Sequence, residues 1–208
     1  MPGDSAPSVA NPGETAPQAA LATPRDRILS VAGRLFYQNG YRAIGVDRVI
    51  AEADVAKATF YRHFPSKDAL IVAWIERAEA VSLKSAAPIS GPCPLTDHAL
   101  AMIALAKRPA CMGCTYQATA SEFGGLDHPA HLAALSVKRR VLHDLEARAA
   151  AQGLTPPRQA AEAVFLVLEG IWAARRMFSP DAPLDNAARA VQALIGSFEG
   201  RDELSGLS

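Results

Sequence analysis

Apolar residues recur along most of the chain with the spacing of amphipathic helices. In the first such run they stand at i, i+3, i+4, i+7 and i+8: Ile28, Val31, Ala32, Leu35 and Phe36. This spacing places them on one face of a helix. Thr23 and Asp26 can cap its start with Pro24 in the first turn, and Gly40 is suited to end it. The pattern predicts a helix over about 24–39.

The same reasoning predicts helices through the rest of the chain. A short pattern at about 46–53 is followed by VAKATFYRHF, and Pro65 then interrupts the chain. Ser66 is placed to cap the next helix. Beyond a Pro/Gly/Ser-rich stretch at 85–94, helices are predicted near 95–107, 114–123, 128–151, 156–178 and 185–199. No strand alternation is found, so the predicted fold class is all-α.

Composition limits the possible environments and partners. Lys and Arg number 21, as do Asp and Glu, so the formal net charge is zero and a nucleic acid would have to meet a local basic patch. Three cysteines are too few for a disulfide scaffold, which favours a cytoplasmic protein. No targeting or membrane-spanning segment is predicted. Residues 1–22, with a proline every five positions from Pro2 to Pro17, indicate a disordered tail.

A short helix, a turn and a second short helix form a helix-turn-helix pattern. Within KATFYRHFPSK, Phe60 and Phe64 are four apart and can anchor the second helix in a core. Its polar groups then face outward, where hydroxyls such as that of Tyr61 can meet phosphates or base edges. Lys67 opposes the dipole of the next helix, which favours a phosphate partner over a structural role. The segment 24–64 also carries an excess of basic residues.

The stretch from Arg25 to Leu70 resembles the DNA-binding domain of TetR/AcrR-type bacterial transcriptional regulators. The similarity lies in Ala-x-x-Leu-Phe, Asn-Gly-Tyr, Thr-Phe-Tyr-x-His-Phe and Ser-Lys-x-x-Leu. After the tail at 1–22, it implies a helix-turn-helix domain at 23–69 and a helical effector and dimerisation domain at 70–200, which leaves a flexible tail at 201–208. The DNA-binding residues would be Arg42, Gly45, Lys57, Ala58, Thr59, Tyr61, Arg62, His63 and Lys67.

The resemblance also implies how such a protein acts. A homodimer, formed through the helices near 156–178 and 185–199, would bind a palindromic operator on double-stranded DNA. A small-molecule effector would release it, most simply as a repressor without a cofactor. Both helices carry apolar stripes, and a helix that is apolar on two sides has two partners.

Three positions depart from the family pattern. Asp54 stands where the turn usually has glycine, and Asp tolerates the left-handed region better than most residues. Ala56 replaces the usual Ser or Thr cap of the second short helix, which costs about 0.5–2 kcal/mol of helix stability. Ile44-Gly45 replaces the usual hydroxyl ahead of the first short helix. Side-chain phosphate contacts are therefore not expected there, although the backbone N–H of Gly45 remains available.

The sequence does not define an effector pocket. Candidates combine apolar bodies with polar tips suited to a small organic ligand: Trp74, Met102, Cys114, Tyr116, Gln117, Glu122, Phe165 and Trp172. Core packing is the commoner role of such large side chains. Arg175 and Arg176 can pair an anionic ligand, but a solvated helix end is the favoured interpretation.

Cys111 and Cys114 have the Cys-x-x-Cys spacing of a zinc site or a redox pair. Third and fourth ligands would come from Cys93, His98, Glu122, His128 and His131, but no second metal-binding motif completes the pattern. GCTYQATASEF with DHPAH resembles a turn found in one branch of the family, in which Cys114 packs in the interior. Packing is therefore favoured over metal or thiol sensing.

Two other classes of protein remain as alternatives. An enzyme using Cys114 with His128 has no support beyond the presence of these residues, since no nucleophile elbow, phosphate loop or Gly-rich cofactor motif occurs. The favoured interpretation is therefore that the protein is not an enzyme. A helical scaffold for protein partners would leave the outward Thr59, Tyr61 and Lys67 without a purpose.

Overall fold

The computed structural model describes residues 23–85, 89 and 91–200, with the side chains of 83–85 left aside. This part of the chain holds nine α-helices and no strand. They are α1 Pro24–Asn39, α2 Val46–Glu52, α3 Lys57–His63, α4 Lys67–Ser85, α5 Pro94–Ala106, α6 Thr115–Glu122, α7 Pro129–Ala151, α8 Pro157–Phe178 and α9 Ala187–Gly196. The all-α prediction is confirmed. The tails predicted at 1–22 and 201–208 lie outside the described residues.

Side-chain caps explain where two of the helices begin. The Thr23 hydroxyl donates to Asp26 Oδ2 at 2.7 Å and accepts from the Asp26 backbone N–H at 3.2 Å. This bond to Thr23 is the largest influence lowering the pKa of Asp26, against partial desolvation and with help from Arg77. At α4 the Ser66 hydroxyl accepts from the Ala69 N–H at 3.0 Å, as the sequence predicts. Each cap satisfies an N–H that lacks a partner within the helix.

The helices divide into two compact units. The first contains α1 to α4, α6 and the start of α7, over 23–85 and 115–137. Its largest fully buried side chains include Ile28, Leu35, Phe36, Tyr41, Phe60, Phe64, Leu70 and Ile75. The Trp74 indole packs against the backbone of Gly33, where a Cβ would come within 2.2 Å of the ring. The close approach of α1 and α4 therefore requires a glycine at this position.

The second unit contains α5, the rest of α7, α8 and α9. Helix α5 packs on α8 and α9, and α8 packs on α9. Their apolar faces form one core, which includes Leu95, Ala99, Ile103, Leu145, Ala160, Val164, Leu168, Ile171, Val191 and Ile195. Among the described helices, none is both long and apolar enough to cross a membrane. The functional domain boundaries given in the sequence analysis stay predictions.

Arg175 lies in the interior of the second unit, so the predicted solvated helix end is wrong for this residue. Its side chain is 3% exposed. The guanidinium donates to the carbonyls of Cys111, Arg108 and Pro180 at 2.6–3.0 Å and to that of Pro109 at 3.2 Å. The planar guanidinium has five N–H donors, so it can donate to several carbonyl oxygens at once. Arg175 therefore fixes the chain between α5 and α6.

Candidate nucleic-acid interface

The connection between α2 and α3 has the backbone that the sequence predicts. Asp54 has a φ of 50°, in the left-handed region that few non-glycine residues adopt. The residues preceding the two short helices, Gly45 and Ala56, make no side-chain cap hydrogen bond. The predicted loss of a side-chain cap at both helices is thus confirmed. Ala56 in particular offers no side-chain acceptor to the N–H groups at the start of α3.

Helix α3 is held by two phenylalanines and exposes its other side. Phe60 and Phe64 are 0% and 2% exposed, and their ring centroids are 5.9 Å apart. Tyr61 is 44% exposed with its ring edge-on to Phe60 at 5.3 Å. Arg62 beside it is exposed as well. The packing of one face of this seven-residue helix therefore fixes the direction in which the polar face points.

Several nearby cations are already paired inside the first unit. Glu52 Oε2 accepts from Arg34 at 2.6 Å, and its Oε1 accepts from Arg48 at 2.9 Å. The bond to Arg34 is the largest influence lowering the pKa of Glu52, followed by that to Arg48. Arg27 donates to the carbonyl of Asp54 in the turn at 3.3 Å. These cations hold α1, α2 and the turn together, so the basic excess of the sequence overstates the charge available to a partner.

The cations of α3 and the start of α4 are less engaged. Lys57 makes an exposed ion pair with Asp47 at 3.4 Å, a contact of little energetic weight. Within the described residues, the side chains of Arg62 and Lys67 form neither a hydrogen bond nor an ion pair. Burial lowers the pKa of Lys67, and the carboxylates of Glu122 and Asp68 oppose this shift. Arg62 and Lys67 are thus the cations best placed to bind an external anion.

All nine candidate DNA-binding residues lie in the first unit: Arg42 and Gly45 precede α2, six lie on α3, and Lys67 begins α4. Exposed members are Arg42, Gly45, Lys57, Ala58, Tyr61 and Arg62, and half-buried ones are Thr59, His63 and Lys67. Arg42 was expected from the resemblance alone. Its partners, Glu122 and Phe123, were not anticipated from the sequence.

Comparison with known proteins agrees with this geometry. Residues 28–74 match the family model for bacterial regulatory proteins of the tetR family. The fold resembles that of a TetR-family transcriptional regulator from Streptomyces coelicolor, with a TM-score of 0.78 and 27% identity over 85% of this chain and 96% of that one.

The chain thus resembles TetR-family regulators in its helix-turn-helix segment and in its fold.

Two further relatives define how far the similarity extends. The HTH-type transcriptional regulator LmrA of Bacillus subtilis is 32% identical over 93 residues, 44% of this chain and 48% of LmrA. The HTH-type transcriptional repressor NemR of Escherichia coli is 36% identical over 53 residues, 26% of this chain and 27% of NemR. The match spans about a quarter of the first curated relatives, HTH-type regulators of Mycobacterium tuberculosis. This chain therefore carries a helix-turn-helix DNA-binding domain like that of these regulators.

The candidate effector residues are divided between the two units. Trp74, Tyr116, Gln117 and Glu122 lie in the first, and Met102, Cys114, Phe165 and Trp172 in the second. Trp74 is 3% exposed in the core, and its Nε1 is buried without a hydrogen-bond partner among the described residues. The Glu122 carboxylate accepts from two backbone N–H groups, those of Tyr41 and Arg42. Internal contacts therefore account for the Glu122 carboxylate and for the packing of the Trp74 ring, but not for the Trp74 N–H.

The three cysteines form no disulfide within the described residues, with Cys93 exposed, Cys111 buried and Cys114 half-buried. No group of three or more His, Cys, Asp or Glu side chains able to hold a metal ion occurs in the part of the chain that the structure describes. Gly113, between the two cysteines of the Cys-x-x-Cys sequence, has a φ of 95°, and a Cβ there would lie 2.9 Å from the Trp172 carbonyl. Glycine is thus required at this turn.

Proposed function

We propose that this chain is a transcriptional regulator that binds a palindromic operator as a homodimer and is released by a small-molecule effector, most simply as a repressor. The observation that carries the DNA-binding part is the orientation of α3. Phe60 and Phe64 hold one face of the helix in the core. Tyr61 and Arg62 are exposed on it, and Lys67 follows without an ion pair to any residue that the structure describes. Hydroxyl and cationic groups of this kind bind phosphates and base edges.

The apolar surface of α8 supports the dimer. Leu166 is 69% exposed and Met177 is 77% exposed. Gly170 and Ala173 are exposed between them, so the four residues share one face at i, i+4, i+7 and i+11. The opposite face of α8, with Val164 and Leu168, packs in the core. A helix with two apolar faces fits a second subunit, and a two-fold dimer matches a palindromic site.

The effector belongs to the larger helical part of the chain in this proposal. Met102, Phe165 and Trp172 are partly buried around the core of the second unit. Such side chains suit a small organic molecule, and binding would favour the conformation with lower affinity for DNA.

The proposal is tested by a mobility-shift assay with duplex DNA from beside the gene. The purified chain should retard this DNA at salt concentrations where a shuffled duplex of equal length stays free. Equal affinity for both duplexes over the whole salt range would contradict an operator-binding role.

A second candidate function is thiol sensing, and one contact favours Cys114 over Cys111 for it. Lys138 hydrogen-bonds both Cys114 and Glu169, and its ammonium lies 5.7 Å from the centre of the Phe165 ring. Burial lowers the pKa of Lys138, but Cys114 and Glu169 outweigh burial, so the pKa is raised. Reactive cysteines occur in electropositive, partly exposed surroundings of this kind.

The rate of alkylation by iodoacetamide distinguishes the thiol of Cys114 from that of Cys111. In a Cys93→Ser background, which removes the exposed thiol of the second unit, we expect Cys114→Ser to abolish rapid alkylation and Cys111→Ser to leave it in place, because Cys111 is buried. DNA binding by wild type that survives alkylation of Cys114 would exclude thiol sensing while leaving the main proposal intact.

A further inference from the structure

The carboxylate of Glu122, at the end of α6, binds the backbone that follows α1. Oε1 accepts from the Tyr41 N–H at 3.0 Å, and Oε2 accepts from the Arg42 N–H at 2.8 Å. Gly40 makes this possible. Its φ is 82°, and a Cβ there would lie 2.8 Å from Oε1. Two consecutive N–H groups on one carboxylate fix the direction of the backbone at Arg42, since charge-assisted bonds are short and strong.

The side chain of Arg42 is held by the same end of α6. Its Nε donates to the Glu122 carbonyl oxygen at 2.9 Å, and its guanidinium carbon lies 5.8 Å from the centre of the Phe123 ring. Neither Nη of Arg42 donates to an acceptor within the described residues. Because Nε and the plane of the Arg42 guanidinium are held, the two Nη atoms remain available to an external oxygen. The side chain then loses less rotamer entropy when it binds.

Tyr41 fixes α6 against the segment that carries Arg42. Its hydroxyl lies 2.8 Å from the hydroxyl of Thr115 and accepts from that of Thr119 at 2.8 Å. The Tyr41 and Phe123 rings meet edge to face at 5.8 Å. Tyr41, Thr115 and Thr119 are all buried. Because buried polar groups are costly to separate, α6 and the residues after α1 hold one arrangement.

The charge of Glu122 also reaches Lys67. Among the groups around this lysine, Glu122 exerts the largest attractive influence, ahead of Asp68, while Arg42 repels it. The Glu122 carboxylate therefore accepts from the backbone of one cation, Arg42, and attracts a second, Lys67. No other carboxylate is bonded to the side chain of either cation within the described residues. Glu122 offsets their mutual repulsion without forming an ion pair to the side chain of either.

We propose that Glu122 and Phe123 are positioning residues for DNA binding: they hold the Arg42 guanidinium, with its Nη donors free, against a phosphate of the operator. The inference rests on the proposed function, because it needs a DNA partner. Glu122 thus acts on DNA through Arg42 and is assigned neither to DNA contact nor to the effector.

The test is a double-mutant cycle with Glu122→Gln, Arg42→Ala and the double variant, on the wild-type operator fragment over a range of KCl concentrations. Glu122→Gln keeps the size of the side chain, but its amide accepts only one of the two N–H groups. We expect operator binding to weaken about tenfold. The slope of log affinity against log salt should fall by about one, as for Arg42→Ala, because one phosphate contact is lost.

In the Arg42→Ala background, Glu122→Gln should add little, since both changes remove the same contact. A residue that only stabilises the fold would weaken binding additively and leave the salt slope unchanged, and that result would overturn the inference. Glu76→Gln, an exposed change of the same charge on α4, serves as the control and should bind as wild type.

If Glu122→Gln fails to fold, Phe123→Leu replaces it, since it removes the ring beneath Arg42 and keeps the carboxylate. The same loss of slope is expected, and an unchanged slope would count against the inference. A wild-type chain that binds no duplex overturns the proposed function and this inference with it. Wild-type binding with normal binding by Glu122→Gln overturns the inference alone.

Discussion

Arg175 and Cys111 are 64 positions apart, yet the guanidinium of the first donates through Nε to the carbonyl oxygen of the second at 2.9 Å. The same guanidinium holds the carbonyls of Arg108 and Pro109. The Cys-x-x-Cys sequence thus follows a segment whose backbone is fixed by a buried arginine. Within the described residues, this arginine and Gly113 account for the backbone of the segment, and no group of side chains able to hold a metal surrounds it.

Replacing Arg175 by Met should destabilise the protein strongly. Met keeps an apolar stem but removes every donor, so four carbonyl oxygens lose their partner in a buried place. We expect the free energy of unfolding to fall by about 2–4 kcal/mol. Urea unfolding at a fixed protomer concentration measures this loss.

The matched control is Arg176→Met, one position further along α8, where the side chain is exposed. Its unfolding free energy should stay within about 0.5 kcal/mol of wild type. Equal losses for the two variants would mean that charge on this part of α8, and not the carbonyl contacts, stabilises the fold.

Tyr61→Ala and Lys67→Ala should both weaken operator binding, but with different salt behaviour. Lys67 has no ion pair in the described residues, so its expected partner is a phosphate. Its removal should lower the slope of log affinity against log salt by about one. Tyr61 is uncharged, and its removal should leave the slope unchanged while reducing affinity. Titrations of each variant at several KCl concentrations measure both quantities.

Lys107→Ala is the control for these titrations. Lys107 is exposed at the end of α5 in the second unit, so this variant loses the same charge at a distance in sequence from α3. Its affinity and slope should equal those of wild type. Normal binding by both Tyr61→Ala and Lys67→Ala would remove α3 and the start of α4 from the interface.

The helices were predictable from the sequence because their causes are local. Thr23 and Ser66 cap α1 and α4 as expected, and the apolar spacing together with the Thr23 cap and Gly40 gives the bounds of α1. The roles of Glu122 and Arg175 were not predictable. Glu122 bonds to residues 80 and 81 positions away, and Arg175 bonds to carbonyls 64 to 67 positions away as well as to Pro180. Periodicity carries no information about such partners, and a charged residue near a helix end more often faces solvent.

Ala56→Ser should stabilise the first unit by restoring the missing cap of α3. Ala56 has φ −66° and ψ 146°, which is the extended backbone of a capping residue. A serine hydroxyl there can accept from the N–H groups of the first turn. We expect a gain of about 0.5–1 kcal/mol in the free energy of unfolding. Ala58→Ser, inside α3, is the control and should bring no gain, and equal effects at both positions would contradict the capping explanation.

His98 should make stability depend on pH in the mildly acidic range. Burial, followed by repulsion from Arg148, lowers the pKa of His98 from 6.5 to about 4, with Asp144 opposing. Between these two values the unfolded chain binds a proton that the folded chain does not bind. Stability therefore falls as the pH is lowered from 6.5 to about 4, by an amount on the order of 3 kcal/mol.

His98→Leu should remove this part of the pH dependence, because no imidazole is then protonated on unfolding. His143→Leu, on an exposed residue of α7, should retain it. Unfolding free energies at several pH values between 4 and 7 distinguish the two variants. Parallel curves for wild type and His98→Leu would show that other groups cause the dependence.

Leu166→Glu should separate the proposed dimer into monomers. Leu166 is 69% exposed on the face of α8 that it shares with Met177. A glutamate there would leave a charge without a partner inside a subunit interface, which costs several kcal/mol because the charge loses its hydration. Sedimentation at micromolar concentration should show a dimer for wild type and a monomer for the variant.

The control is Leu132→Glu, the same change at a 48% exposed position near the start of α7 in the first unit. It should remain dimeric, because an exposed charge outside the interface keeps its water. Loss of the dimer in Leu166→Glu should also weaken operator binding at low protein concentration, since each monomer then holds only one half-site. If wild type itself sediments as a monomer, or if Leu132→Glu dissociates and Leu166→Glu does not, the exposed face of α8 is not the subunit interface.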